Sequence, residues 1–199
     1  VAVLMMYIAG THPKWLLLGA LGAAAFLLVY TRLMGYAGDR VTAWRHPELD
    51  PGDTGDQILQ SLYAIGSGGL FGLGLGKSRQ KYLYLPFQYN DYIFAIACEE
   101  LGLVGAVGIM VLFALLILRG FWIARQAQTR FSTALAAGLI SLIAVQTILN
   151  LCVVTNLLPS TGIALPFFSY GGTALAVNLG EMGIVLNISR KRTIQEANT

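Results

Sequence analysis

The sequence predicts an all-α, polytopic membrane protein, and three observations carry that prediction. Only 12% of the residues are charged and 56% are hydrophobic, where a soluble domain has about 25% charged residues. Mean hydropathy is +0.65. Four apolar runs, each close to the roughly 20 residues that a membrane-crossing helix needs, alternate with stretches where proline, glycine and charge gather. The expectation is one membrane domain over 1–199, with four complete transmembrane helices, the end of a truncated one, and a large outer loop containing short helices.

Residues 1–9 are apolar but too short to cross, without a basic leader or cleavage motif, and read as the end of a truncated helix of a longer protein. Pro13 can begin a helix but not sit inside one, and Trp15 to Thr31 is the first complete span. From Arg32 the composition changes: Arg32, Asp39, Arg40, Arg45, Glu48, Asp50, Asp53 and Asp56 cannot lie in hydrocarbon, so 32–92 reads as a large loop outside the membrane. Within it, apolar residues at 58, 59, 62 and 65 give the stripe of a short amphipathic helix at the interface. Gly66 to Gly76 then alternates glycine with bulky apolar residues, as a tight loop approaching other backbone would. Ile93 to Leu118 is the second span, interrupted by Glu99 and Glu100. Phe131 to Val154 is the third, and Phe167 to Ile188 the fourth, after a break containing Pro159, Gly162 and Pro166. A tail follows over 189–199.

Basic residues set the orientation. Lys14, the Arg119 to Arg130 connection and Arg190 to Arg192 fall on one side if the spans alternate, which makes that side cytoplasmic. Arg32, Arg40, Arg45, Lys77, Arg79 and Lys81 then lie outside near the headgroups, where they suit an anionic ligand. The net charge of +3 and pI near 9.0 do not indicate nucleic acid, because the cations cluster beside apolar runs. Cys98 and Cys152 both sit inside such runs, and with His12 and His46 they give neither a disulfide framework nor a zinc spacing.

The candidate chemistry gathers between Gly72 and Gly102. Gly72-x-Gly-x-Gly-Lys77-Ser78 fails as a phosphate loop, because the glycine required five positions before Gly76 is Phe71. Ser78-Arg-Gln-Lys81 matches S-x-x-K, but no Ser-Asp-Asn or Lys-Thr-Gly accompanies it. Lys77, Arg79 and Lys81 alternate and would share one side of an extended strand. They serve either as headgroup anchors or as ligands of a pyrophosphate. Asp91, after Asn90, stands where a helix cap belongs; its position at the outer mouth of a span also suits a general base, burial raising its pKa while cations and the helix dipole oppose the rise. Glu99 and Glu100 lie about 12 Å further along the helix. Either they face a functional cavity, or they pair with a basic group on another helix. Thr161, Ser169, Tyr170 and the Gly171-Gly172 pair line a cavity or allow close helix packing.

Two long motifs resemble a known family. Gly72-Leu-Gly-Leu-Gly-x-Ser-x-Gln80-Lys81-x-x-Tyr-Leu-Pro, followed by Asn-Asp91-Tyr-Ile-Phe-Ala-Ile and Glu-Glu-Leu-Gly102, occurs with Leu158-Pro-Ser-Thr-Gly-Ile-Ala-Leu-Pro-Phe-Phe-Ser-Tyr-Gly-Gly172. In this order they resemble the SEDS proteins of shape, elongation, division and sporulation, the FtsW, RodA and SpoVE group, over nearly the whole chain. Where the family often has Leu-Pro-Glu this chain has Leu85-Pro-Phe87, so a second carboxylate there is in doubt. Nor can the Glu of some division members be carried over, since Leu83 takes its place.

The resemblance implies a ten-helix protein of the bacterial cytoplasmic membrane, of which this is the C-terminal half. It implies a peptidoglycan glycosyltransferase that polymerises lipid II outside the membrane beside a class B penicillin-binding transpeptidase and other divisome or elongasome proteins. Asp91 maps onto the family's essential aspartate and is the expected catalytic base. Lys81 and Arg40, then Gln80, Lys77, Arg79, Glu100, Ser169 and Tyr170, are the expected substrate-binding residues. The metal requirement stays open, with a divalent cation the cofactor to test for. Two other classes compete: a lipid II transporter gated by Glu99 or Glu100, and a non-catalytic scaffold for the transpeptidase.

Overall fold

The computed structural model describes residues 3, 5–6, 10–33, 36–49, 54–78 and 91–196. Of the expected helix end at 1–9, residues 3, 5 and 6 are described and helical. The regular elements among the described residues are all helical: α1 (Pro13–Leu33), α2 (Tyr36–Arg45), a single 3-10 turn (Pro47–Leu49), α3 (Thr54–Ser67), α4 (Ile93–Arg125), α5 (Arg130–Val154) and α6 (Gly172–Glu196). Two of them, α4 and α5, are long and apolar enough to cross a membrane; α1 is apolar through Phe26. Phe167 to Tyr170, expected to open the last span, form turns instead, and α6 starts at Gly172.

The chain divides into two compact units. The first comprises Val1–Val29, Phe113–Val145 and Gly172–Thr199. Its interior is built from small residues: Ala124, Ala136 and Ala137 are buried, with Phe121 and Ile188 packed against them. A side chain at Gly120 would collide with Ile140, the close approach by which helices associate in lipid, where packing rather than water expulsion drives them together.

The second unit comprises Tyr30–Leu112 and Gln146–Gly171. Here α2, the 3-10 turn and α3 pack on one another. Of the expected stripe, Ile58 is buried while 59, 62 and 65 are half-buried, and the other fully buried side chains of α3 are Ser61 and Ala64. Small size decides this, because Ser61 and Ala64 admit a neighbouring backbone that larger residues would hold off. Ser61 Oγ donates to the Val154 carbonyl at 2.9 Å, which supplies an acceptor for its buried hydroxyl.

The central feature of this unit is a break in α4. Gly102 takes φ 68°, ψ −168°, and the glycine loop fits into the gap. Leu73 N and Gly74 N donate to the Glu99 and Glu100 carbonyls at 2.9 and 3.0 Å, while Leu103 N and Val104 N donate to the Gly69 and Leu70 carbonyls at 2.9 and 3.2 Å. Backbone groups that the break would strand are thereby satisfied. The fit needs glycine twice over: a Cβ on Gly72 would strike the Glu100 carbonyl, and one on Gly102 would strike Gly72 N.

Candidate functional site

Asp91 stands two residues before the start of α4, half-buried, in the second unit. Asn150, buried on α5, reaches it from the side: Nδ2 donates to the Asp91 carbonyl at 2.8 Å and to the Ile163 carbonyl at 2.9 Å. One amide thus ties the head of α4 to the loop after α5. A side chain placed on Gly162 would come 3.7 Å from Asp91 Oδ2, so the glycine leaves that face of the carboxylate uncrowded.

That loop begins with a defined helix stop. Asn156 adopts φ 57°, Leu157 N bonds the Cys152 carbonyl at 2.8 Å and Asn156 N the Val153 carbonyl at 3.0 Å, the paired closure of a Schellman motif. Side chains of the outer segment then hold the loop by its carbonyls. Trp44 Nε1 donates to Asn156 O at 3.0 Å, and Arg40 Nη1 donates to Ser160 O at 3.1 Å.

Electrostatics fit a base. Burial raises the Asp91 carboxyl above its ordinary 3.8, because desolvation disfavours the charged form. Tyr92, buried at 2% exposure, is pushed above its ordinary 10.0 by burial first; Asp91 adds to the rise, while Ser160 and Arg40 oppose it. Although Ser160 lies near enough to favour the phenolate, the hydroxyl makes no hydrogen bond of good geometry with any described residue. A protonated donor and a shifted carboxylate are adjacent in the chain.

The other expected site residues are placed as follows. Lys77 is exposed. Arg79, Gln80 and Lys81 lie outside the described residues. Ser169 Oγ accepts from Leu165 N at 2.8 Å while Ser169 N donates to Leu165 O at 3.1 Å, so this hydroxyl shapes its own turn. Tyr170 is 81% exposed. Glu99 is buried and accepts a hydrogen bond from the Ser78 hydroxyl, itself buried. Glu100 is partly exposed, and its Oε1 is enclosed without a hydrogen-bond partner among the described residues.

An apolar cavity of about 600 Å³, lined by Phe94, Cys98, Leu70, Met110 and Cys152 among others, has none of the expected catalytic or substrate-binding residues in its wall. Both cysteines are free. Among the described residues no three His, Cys, Asp or Glu side chains converge as a metal-ligand set, and a divalent ion has no such donor set beside Asp91.

Sequence reasoning passed over three residues. Tyr92 and Asn150 carry no signal of their own, since an aromatic and an amide at a helix end are ordinary. Glu181 did carry one, being a carboxylate inside an apolar run. In the first unit it is buried with Asn178 on α6, and its Oε2 has no hydrogen-bond partner among the described residues.

The family model described as "Cell cycle protein", covering FtsW, RodA and SpoVE, matches residues 1–194. The chain belongs to the FtsW/RodA/SpoVE family. It is 45% identical over 193 residues to the probable peptidoglycan glycosyltransferase FtsW of Geobacter sulfurreducens, covering 96% of this chain and 51% of that protein. It is 46% identical over 190 residues to stage V sporulation protein E of Bacillus subtilis, covering 94% and 51%. Among solved structures it resembles a chain from a peptidoglycan synthase complex studied for the coordination of polymerization and crosslinking. That match has TM-score 0.75 at 30% identity and covers 94% of this chain and 52% of the other. This FtsW/RodA/SpoVE chain spans about half the length of the curated relatives it matches.

Proposed function

We propose that the chain is the C-terminal half of a peptidoglycan glycosyltransferase that polymerises lipid II at the outer face of the bacterial cytoplasmic membrane, through four spans and an outer loop, and that it works beside a class B penicillin-binding transpeptidase. The observation that carries the reading is Asp91: a half-buried carboxylate with a raised pKa at the head of a membrane helix, held through its backbone by Asn150. Support comes from relatives named as peptidoglycan glycosyltransferases and from a structural neighbour in a synthase complex of polymerization and crosslinking.

In this mechanism the Asp91 carboxylate takes the proton of the acceptor sugar's 4-hydroxyl. The freed oxygen pair forms a bond to the donor's anomeric carbon as the bond to the lipid pyrophosphate breaks, and the anomeric configuration inverts. The leaving pyrophosphate carries the developing charge, and fixed cations stabilise it without reorganising. Lys81 is the first candidate for that role, with Lys77 and Arg79 beside it in the chain. Arg40 of α2, held to the loop after α5 through the Ser160 carbonyl, is the next candidate. Raising the base's pKa towards the working pH strengthens it as a proton acceptor.

The test uses purified full-length protein and lipid II. Wild type should build glycan strands and Asp91→Asn, which keeps size and capping ability, should build none while remaining folded. An Asn variant that polymerises normally removes Asp91 from this role. A wild type that moves lipid II across liposomes without polymerising it would instead be a transporter, and one that does neither would be a scaffold.

A further inference from the structure

We propose that the apolar cavity of the second unit is a binding site for one acyl chain of a phospholipid, taken in from the membrane leaflet on the Asp91 side. The inference stands apart from the glycosyltransferase reading and rests on α4 as a membrane-crossing helix. Every described residue of the cavity wall belongs to the second unit. Phe94, Cys98 and Ala106 make its floor and are buried, at 4%, 6% and 5% exposure. Leu70, Leu103, Met110 and Leu157 make its rim and are 61%, 54%, 39% and 67% exposed. The cavity is thus closed at its base and open between these four side chains.

The rim fixes where the cavity opens. Leu103 to Met110 are the first two turns of α4 after the break at Gly102, about 10 Å of helix. The glycine loop is tied to the same turn, since Leu103 N and Val104 N donate to the Gly69 and Leu70 carbonyls at 2.9 and 3.2 Å. Neither side of the mouth carries a charge: residues 66–76 of the loop and 101–118 of α4 contain no Asp, Glu, Lys or Arg. A mouth at this height on a crossing helix faces hydrocarbon, in the leaflet nearer Asp91.

The wall admits one ligand chemistry. Among the described lining residues Thr155 carries the one hydroxyl, and it donates back to the Leu151 carbonyl at 2.7 Å. Water would find no partners there, while an empty gap would forfeit dispersion contacts on every side. At about 30 Å³ for a group the size of a water molecule or a methylene, the cavity of about 600 Å³ holds about 20 such groups, which suits a chain of about 16–18 carbons. A helix about 10 Å across would need roughly 800 Å³ over the same two turns, so a partner's helix cannot be taken in whole, whereas a single flexible chain can. Such a chain touches the glycine loop, α4 on both sides of its break and the end of α5 at once, through Leu70, Phe94, Leu103 and Leu157.

The experiment uses full-length protein stripped of lipid in a steroid-based detergent, with native mass spectrometry and thermal melts as readouts. Dioleoyl phosphatidylglycerol should bind at one site and raise Tm by about 2–4 °C. Dihexanoyl phosphatidylglycerol, with the same headgroup on short chains, should do neither. Two variants fill the cavity from opposite walls. A side chain on Gly66, which lines the cavity, meets open space, so Gly66→Phe enters without a backbone clash; Ala106→Leu enters from α4 and guards against a Phe that turns away. Each should bind the dioleoyl lipid at least about tenfold more weakly and lose its Tm rise, because side chain and acyl chain compete for one volume. Equal effects of the two lipids, full lipid binding in both variants, or a rise with undecaprenyl phosphate and none with the dioleoyl lipid would each overturn the proposal. So would loss of the bound lipid on copurification with a transpeptidase, which would give the cavity to a partner. Neither readout involves polymerisation, so a protein that makes no glycan defeats the glycosyltransferase reading and leaves this one to its own test.

Discussion

Asp91 has two consequences that separate catalysis from stability. Because burial raises its pKa, the native state holds this proton more tightly than the unfolded chain. Its contribution to stability is full below the ordinary 3.8 and is lost as pH rises through the raised native value. At neutral pH Asp91→Asn should therefore melt no lower than wild type, and the difference between them should shrink on acidification; calorimetry across pH checks this. Activity runs the other way. A base must be ionised, so kcat/KM should fall on the acid side through a limb lying above 3.8, and a pH–rate profile whose acid limb sits at or below that value contradicts it. Asp91 stands out in the sequence because it lies in a long motif at the mouth of an apolar run. Asn150 does not. An amide in a span signals polarity, but which two carbonyls it joins depends on a loop that approaches it only in the fold. Replacing Asn150 with Ala should cost about 1–3 kcal/mol, since two buried carbonyls lose their donor. It should also lower polymerisation by freeing the Asp91 backbone, which melting and lipid II turnover read together.

At the scale of elements, the glycine loop and the broken helix are one object. Their sequences show only half of it. The alternation of glycine with Leu70, Phe71, Leu73 and Leu75 indicated a backbone in close approach, yet Glu99-Glu100-Leu101-Gly102-Leu103 reads as uninterrupted helix. A glycine inside a helix is tolerated, and its positive φ is set by the loop inserted beside it. The expectation that Glu99 pairs with a basic group or faces a cavity did not include the contact seen here, a hydrogen bond accepted from the hydroxyl of Ser78. Two alanine substitutions separate the roles of glycine in α4. Gly102→Ala, with φ 68° and a Cβ driven into Gly72 N, should cost at least about 3 kcal/mol from strain and clash combined. Gly108→Ala meets open space and should change stability by no more than about 1 kcal/mol, towards greater stability if anything. Thermal melts of the two variants decide, and a Gly102→Ala protein as stable as wild type would contradict the interlock.

For the whole molecule, composition established membrane character and helical class, because both follow from average hydropathy and from the need to satisfy backbone groups in lipid. The span count is harder to read. Asn178, Glu181 and Asn187 dilute the apolar run of α6, and α4 and α5 are the described helices that meet the length and hydropathy of a crossing. The orientation expected from the basic residues can be tested at Gln128 and Thr161, both exposed and lying on either side of α5 in the sequence. In a full-length protein lacking Cys98 and Cys152, a cysteine at Thr161 should react with an impermeant thiol reagent on intact spheroplasts. A cysteine at Gln128 should react after the membrane is opened and not before. Labelling of both from the same side would defeat the orientation given by the basic residues.

A continuous helix of 33 residues would be about 50 Å long, far more than the roughly 30 Å of hydrocarbon it has to cross. Without the break at Gly102, such a rod must tilt steeply or thicken the bilayer around it. With the break, the stretch from Leu103 to Arg125 alone is about 34 Å long, close to that thickness. The break at Gly102 thus leaves a length of helix that fits the membrane without steep tilt.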